Sequence, residues 1–252
     1  MKLVLLGTTG YHPSEKRHTP CFLLPECGVM FDAGTAMFRA PQFLETPELD
    51  IFLSHVHIDH VVGLTYLLNV MRQHEFDRVT VHGDPAKLDA LEEHLFSEFL
   101  FPKKPPYEAR PLEGDVAVGL GGTLTHFPME HQGGSIGFRI DWPESSTAPK
   151  CSMAYVTDTT ASPEADYVDH IHRVDILLHE CYFPDERAEW AQMTGHSHTT
   201  PVAQVAAKAE VGRLVLVHMN PVATEDDPIG LDTARAIFPA TELGEDLTIV
   251  EF

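Results

Sequence analysis

The stretch Ile51-Phe52-Leu53-Ser54-His55-Val56-His57-Ile58-Asp59-His60 decides how the rest of the chain is read. Its three apolar residues predict a strand. On extended backbone, residues two apart project to one side, so His55 and His57 can address a single centre. Asp59 and His60 fall at the turn into the apolar segment 61–71, which predicts a helix, and they can reach a second centre. Imidazole nitrogen and carboxylate oxygen suit Zn2+ and similar ions. The alternative is three histidines in a polar loop. A tight run wedged between strand and helix speaks against it.

The same arrangement recurs along the chain. Val29-Met30-Phe31 runs into Asp32, and Thr125-His126-Phe127 leads through Glu130 to His131. Tyr155-Val156 leads to Asp158, Ile176-Leu177-Leu178 runs into His179-Glu180, and Leu214-Val215-Leu216-Val217 runs into His218. Six strands thus each end near a His or Asp. Rigid strands aim side chains at a site while the following loops can open, so this pattern predicts an assembled centre. Further short apolar runs at 3–6, 21–24, 79–81, 136–140 and 247–250 predict strands. Segments 85–96, 201–210 and 233–238 predict helices. The first half reads as closely spaced strands, as in hairpins, and the second as alternating strand and helix. Segments 102–106 and 142–150 read as surface loops, and 1–252 as a single α/β domain.

Composition narrows the function. The chain of 252 residues carries 17 Lys+Arg against 38 Asp+Glu, a formal charge of −21. That field repels phosphate backbones and argues against duplex nucleic acid as a partner. No apolar run is long enough for a membrane span, and the initial apolar run is too brief for a signal peptide. The four cysteines are scattered without a Cys-x-x-Cys pair and read as buried thiols. These features predict a cytoplasmic protein. No Gly-rich phosphate loop is present, so nucleoside-triphosphate chemistry has no support.

His-x-His-x-Asp-His after an apolar strand resembles the signature of the metallo-β-lactamase superfamily, and the resemblance covers nearly the whole chain. Phe31-Asp32-Ala33-Gly34 is similar to the upstream Asp-x-Gly element. The resemblance implies a four-layer αβ/βα sandwich. It also implies two divalent metal ions, zinc first and Mn2+ or Fe2+ as alternatives, sharing a hydroxide at the sheet edge. His55, His57 and His131 would hold one ion, Asp59, His60 and His218 the other, and Asp158 would bridge. Several elements resemble the ribonuclease Z branch: Leu5-Leu6-Gly7-Thr8-Thr9-Gly10, His179-Glu180, Gly195-His196-Ser197, and the Ala-rich helix before Leu214–His218. The branch carries a long arm for transfer RNA between the positions matching His131 and Asp158. Here only residues 133–152 fill that gap, enough for a hairpin.

Roles follow with their alternatives. Asp32 is expected to accept hydrogen bonds and orient the ligand loop rather than bind metal. Asp59 is expected to orient the nucleophile. Glu180 and His196 are expected as an acid and a phosphate-facing histidine, against the alternative of a pair that merely stiffens loops; His198 competes with His196. His131 could make a turn with Gly133-Gly134, Asp158 could cap a helix, and His218 could be a satisfied core histidine. The expected activity is a metal-dependent phosphodiesterase acting on a small or short phosphodiester, with a homodimer as one assembly open to it. A hydrolase of a carbonyl substrate (thioester, lactone or β-lactam) on the same fold is the alternative, and a non-enzymatic metal-binding protein is the third reading.

Overall fold

A computed structural model describes residues 1–144 and 150–252. Part of the surface loop expected over 142–150, residues 145–149, lies outside them. The strands are β1 (Lys2–Gly7), β2 (Cys21–Leu24), β3 (Val29–Phe31), β4 (Glu48–Phe52), β5 (Arg78–Gly83), β6 (Glu108–Pro111) and β7 (Val116–Val118). They continue with β8 (Gly122–Met129), β9 (Ser135–Trp142), β10 (Cys151–Val156), β11 (Ile176–Glu180), β12 (Arg213–Val217), β13 (Thr241–Leu243) and β14 (Thr248–Glu251). The helices are α1 (Ile58–Val61), α2 (Leu67–Gln73), α3 (Pro85–Ala90), α4 (Tyr167–His170), α5 (Ala188–Thr194), α6 (Thr199–Lys208) and α7 (Leu231–Ile237).

Two sheets form, in the orders β14-β1-β2-β3-β4-β5-β6 and β13-β12-β11-β10-β9-β8-β7. Their inner faces share a core in which Phe22, Phe31 and Phe52 meet Phe138, Tyr155, Leu178 and Val217. Phe31 stacks on Phe138 with ring centroids 5.4 Å apart, and Phe22 meets Tyr155 edge-on at 5.1 Å. The outer face of each sheet buries a second apolar layer. Val4, Met30 and Ile51 pack with Leu64, Leu67 and Val70, while Ala154, Leu177 and Leu216 pack with Val202, Val205 and Ala206. Helices, sheet, sheet, helices is the four-layer sandwich expected. Strands with helices on one side and a second sheet on the other are buried on both faces. Hence Ile176–Leu178 of β11 and Leu214–Val217 of β12 read as unbroken apolar runs rather than alternating ones.

The expected contrast between a hairpin half and an alternating half does not hold. Each sheet is antiparallel in one part (β14, β1, β2, β3; β7, β8, β9, β10) and parallel in the other (β3 to β6; β10 to β13). Strands β6, β7 and β13 were not expected. All three are sheet edges of three or four residues: β6 is exposed throughout, β13 is mostly polar, and the apolar Val116-Ala117-Val118 of β7 is too short to stand out. Nor were α4, α5 and the 3-10 segment Thr35–Gln42 expected. The helix expected over 61–71 is broken into α1, a 3-10 turn at Val62–Tyr66, and α2. Gly63 explains the break. Its N–H donates to the Ala33 carbonyl at 2.7 Å, and a Cβ there would lie 2.2 Å from the Gly34 carbonyl oxygen. The chain is drawn against the 33–34 turn too closely for a regular helix. The helix expected over 85–96 is α3 followed by a wider π-turn at Leu91–Leu95.

Candidate metal centre

The predicted donors converge from both sheets. His55 and His57 follow β4, Asp59 and His60 open α1, His131 follows β8, Asp158 follows β10 and His218 follows β12. His55, His57, His131 and Asp158 offer donor atoms within 4.8 Å of one another, as do Asp59, His60 and His218. Asp158 stands between the groups. Its Oδ2 lies 3.5 Å from His55 Nε2 and 3.5 Å from His131 Nε2. Its Oδ1 lies 3.2 Å from His60 Nε2 and 3.3 Å from His218 Nε2. The turn expected at His131 is present, with Gly134 N–H donating to the His131 carbonyl at 2.8 Å, yet the His131 ring faces the cluster, as does that of His218, and no helix starts at Asp158.

The surroundings fix which ring nitrogens face inward. His60 Nδ1 meets Asp32 Oδ2 at 2.8 Å, His55 Nδ1 meets Ser54 Oγ at 3.0 Å, and His131 Nδ1 meets the Gly195 carbonyl at 3.2 Å. Each contact leaves Nε2 for the centre. Among the described residues His55 Nε2 is buried with no hydrogen-bond partner, and His60 Nε2 faces His218 Nε2 at 3.2 Å. An unpartnered imidazole nitrogen and two opposed ones around a buried carboxylate are the donor chemistry of a divalent cation. The donor set therefore fits a metal centre.

Asp32 takes the orienting role expected. It is fully buried and accepts hydrogen bonds from Ser54 N–H (2.8 Å), Ser54 Oγ and the Tyr155 hydroxyl (2.8 Å) besides its contact with His60. Ser54 and Tyr155 were missed by sequence reasoning. Ser54 sits inside the motif and could have been flagged, but Tyr155 is one aromatic in an apolar strand of the other sheet. Three positions here hold left-handed backbone without being glycine: Asp32 (φ 55°), Asp158 (φ 47°) and His218 (φ 58°). Such conformations persist where surroundings over-determine them, and they cluster at functional sites. Gly10 is required by close approach: a Cβ there would sit 2.3 Å from the His218 ring.

Glu180 is fully buried and accepts from Thr159 N–H (2.6 Å) and Ser197 N–H (3.2 Å). Its Oε1 also meets His196 Nδ1 at 3.2 Å. The His196 ring stacks on Tyr182 with centroids 4.6 Å apart and lies 5.4 Å from His218. His196 also joins Asp158 and His218 in a third donor group. His198 turns away and pairs with Asp185 at 2.7 Å, while His196 faces the centre. His179 points from the opposite face of β11 to the Tyr167 hydroxyl, outside the centre. The four cysteines are buried free thiols, as expected.

Charge is strongly coupled. Burial lowers His55, His57 and His131, helped by neighbouring imidazoles. Burial works against protonation of His60 too, yet Asp158, Asp59 and Asp32 raise it well above the usual histidine range. Burial likewise opposes ionisation of Asp158, but His218, His60 and His55 hold it well below the usual carboxylate range. For His196 burial is overcome by Glu180, with Asp158 and Asp59 behind it, and the imidazole is raised to about 9.

Fold and donor set together define a class, and the chain belongs to the beta-lactamase superfamily, whose domain matches residues 28–219. Its similarity to the ribonuclease Z branch runs the length of the chain. Ribonuclease Z of Archaeoglobus fulgidus is 26% identical over 303 aligned positions, covering 99% of this chain and 97% of that protein. With 252 residues here, the relative carries segments that have no counterpart. The fold is shared with the metallo-beta-lactamase fold protein YhfI of Bacillus subtilis (TM-score 0.79, 17% identity, 100% of this chain and 99% of that one). It is shared also with the short form of human tRNase Z (TM-score 0.73, 21% identity, 100% and 99%). Among the described residues no helix is long and apolar enough to cross a membrane.

Proposed function

We propose that the chain is a metal-dependent phosphodiesterase of ribonuclease Z-like type that acts on small or short phosphodiesters. His55, His57 and His131 would hold one divalent ion and Asp59, His60 and His218 a second, with Asp158 available to both; zinc suits this all-nitrogen-and-oxygen set. The observation that carries the reading is the Asp158 carboxylate, which turns one oxygen to each imidazole group. Bound divalent ions would lower the pKa of water and stabilise charge on a phosphoryl group. The chain's own residues supply the rest. Asp59, held by Tyr11 N–H at 2.7 Å, is placed to orient the nucleophile and accept its proton. His196, kept protonated by Glu180 and braced by Tyr182, donates to the leaving oxygen.

Residues 133–152 are too few for a long arm, and eight of them, Ser135–Trp142, form β9, while the charge of −21 offers no counterion-release advantage on a polyanion. The substrate is therefore small, and transfer-RNA precursor is processed poorly. The test sets bis(p-nitrophenyl) phosphate beside a lactone and thioester panel and a transfer-RNA precursor, at matched metal and salt. Hydrolysis of the diester alone supports the reading. Preference for the carbonyl panel would replace it with a carbonyl hydrolase, and site-specific cleavage of the precursor would restore RNA as substrate.

A further inference from the structure

Beyond the C-terminal ends of β11 and β12 lies a cavity of about 490 Å3, between Tyr182–Arg187 and the loop from Asn220 to Gly230. Crevices outside the carboxyl ends of parallel strands are where α/β sheets take their ligands, and this volume suits a small molecule. The cavity meets the metal centre at one residue. Tyr182 lines it, and the same ring stacks on His196 and lies 5.7 Å from His218. Asn220 lines it from the other side, two residues after His218.

The lining is polar and has spare hydrogen-bonding capacity. The Tyr182 hydroxyl has no hydrogen bond among the described residues, and its raised pKa, from burial and from Asp59 and Glu180 nearby, keeps it a donor. Asn220 uses its carbonyl oxygen on Val222 N–H, which leaves the amide NH2. Arg187, Glu186 and Glu225 line the cavity from exposed positions. Asp227 caps the turn at Ile229–Leu231 through three backbone N–H groups. Amide, phenol and guanidinium donors, carboxylate acceptors and a flat ring are the groups that recognise a hydroxylated ring. Three carboxylates against one guanidinium make a poor seat for an additional phosphate. A second cavity on the far side of the same loop lacks these properties. Its cations are occupied, Lys16 by the Thr224 carbonyl and Asp226, and Arg17 by the Gly244 carbonyl and Thr8, and no metal-centre residue lines it.

Building on the phosphodiesterase reading, we propose that the Tyr182–Asn220 cavity is the subsite for a sugar-type group of the diester, and that it admits one such group without a further phosphate. Tyr182 is its specificity-determining residue, since the ring forms the wall between the subsite and His196.

The experiment compares two diesters with the same leaving group and the same phosphate charge, thymidine 5′-(p-nitrophenyl phosphate) and methyl p-nitrophenyl phosphate. A third probe adds a 3′-phosphate to the thymidine compound. Wild type should favour the thymidine diester over the methyl one in kcat/KM, and Tyr182→Ala should shrink that ratio by about tenfold, the scale of one lost contact. The 3′-phosphate should lower kcat/KM, and Glu225→Gln should recover part of the loss. Binding is read independently by saturation-transfer NMR of thymidine 5′-phosphate, whose sugar protons should receive magnetisation in wild type and lose it in Tyr182→Ala. An unchanged substrate ratio together with unchanged sugar contacts in Tyr182→Ala would overturn the proposal, as would a 3′-phosphate that improves turnover. Sugar contact that depends on Tyr182 in a protein that hydrolyses no diester would uphold the subsite and sink the phosphodiesterase reading instead.

Discussion

The two donor groups around Asp158 are built to different standards. In the group of Asp59, His60 and His218, both imidazoles are fully buried, and His60 is held through Asp32 by Ser54 and by Tyr155 from the opposite sheet. Asp59 is fixed by Tyr11 N–H, and Gly10 packs against the His218 ring. In the group of His55, His57 and His131, each of the outer two has a single anchor, Ser54 Oγ and the Gly195 carbonyl, while His57 is exposed. One group is pre-organised by the core, and the other rests on loops. Fixed donors lose less freedom on binding an ion, so the buried group should be the tighter site.

The largest effect should separate the groups by deletion. His60→Ala and His218→Ala remove donors from the buried group and should lower kcat on bis(p-nitrophenyl) phosphate by orders of magnitude, as expected when an ion that activates water is lost. His57→Ala should lose metal from the looser group while retaining close to one ion per chain. Metal content by mass spectrometry, with circular dichroism to confirm the fold, checks this. Loss of all metal from His57→Ala would erase the distinction.

Next in size is removal of metal by chelator. The holoprotein should release its ions in two phases, and the phase that survives longer should be the one abolished by His60→Ala. A single phase, or survival of the slow phase in His60→Ala, would reverse the ranking.

How far this contrast could be read from sequence is instructive. Apolar runs marked strand ends that carry a His or Asp, Asp32 and His179 among them, and the His55–His60 motif divided its own four candidate donors between two centres; His131, Asp158 and His218 were singled out by the resemblance to the metallo-β-lactamase superfamily. The division depends only on extended backbone turning into helix, which is local. What makes the groups unequal is not local. Tyr155 reaches Asp32 across the sandwich, and nothing in Met153-Ala154-Tyr155-Val156 distinguishes that hydroxyl from an ordinary core aromatic. The same holds for the fold. Strands that carry the core were legible, with ends shifted by a few residues, whereas the edge strands β6, β7 and β13 are only three or four residues long and bury at most one residue each, too little to leave a pattern. The broken helix after His60 follows from Gly63 meeting the 33–34 turn, a contact between segments rather than a propensity.

That hidden contact gives a subtler test. Tyr155→Phe keeps the ring in the core and removes only the hydrogen bond to Asp32. Losing such a partner behind a ligand typically costs about 10–100-fold in metal affinity. The loss should fall on the buried group alone, measured by competition with a chromophoric chelator, with little change in melting temperature. Equal weakening of both ions would mean that Tyr155 supports the sandwich rather than His60.

The smallest expected change comes from Ser54, which touches both groups. Its hydroxyl lies 3.0 Å from His55 Nδ1 and 2.9 Å from Asp32 Oδ2, and its N–H donates to Asp32 Oδ1. Ser54→Ala removes the hydroxyl but keeps the N–H. Asp32 then retains Ser54 N–H, Tyr155 and His60, so the buried group should hold its ion nearly unchanged. His55 loses its one Nδ1 partner among the described residues, and its ring is no longer held to the tautomer that presents Nε2. An unmade hydrogen bond at a buried group costs about 1–3 kcal/mol. The ring can recover part of that by tilting, so about a tenfold loss of affinity is expected at the looser group. The variant is the mirror of Tyr155→Phe, because each should move one ion and spare the other. If Ser54→Ala instead loosened the ion at His60, the two groups would share one support, and the asymmetry would arise from burial alone.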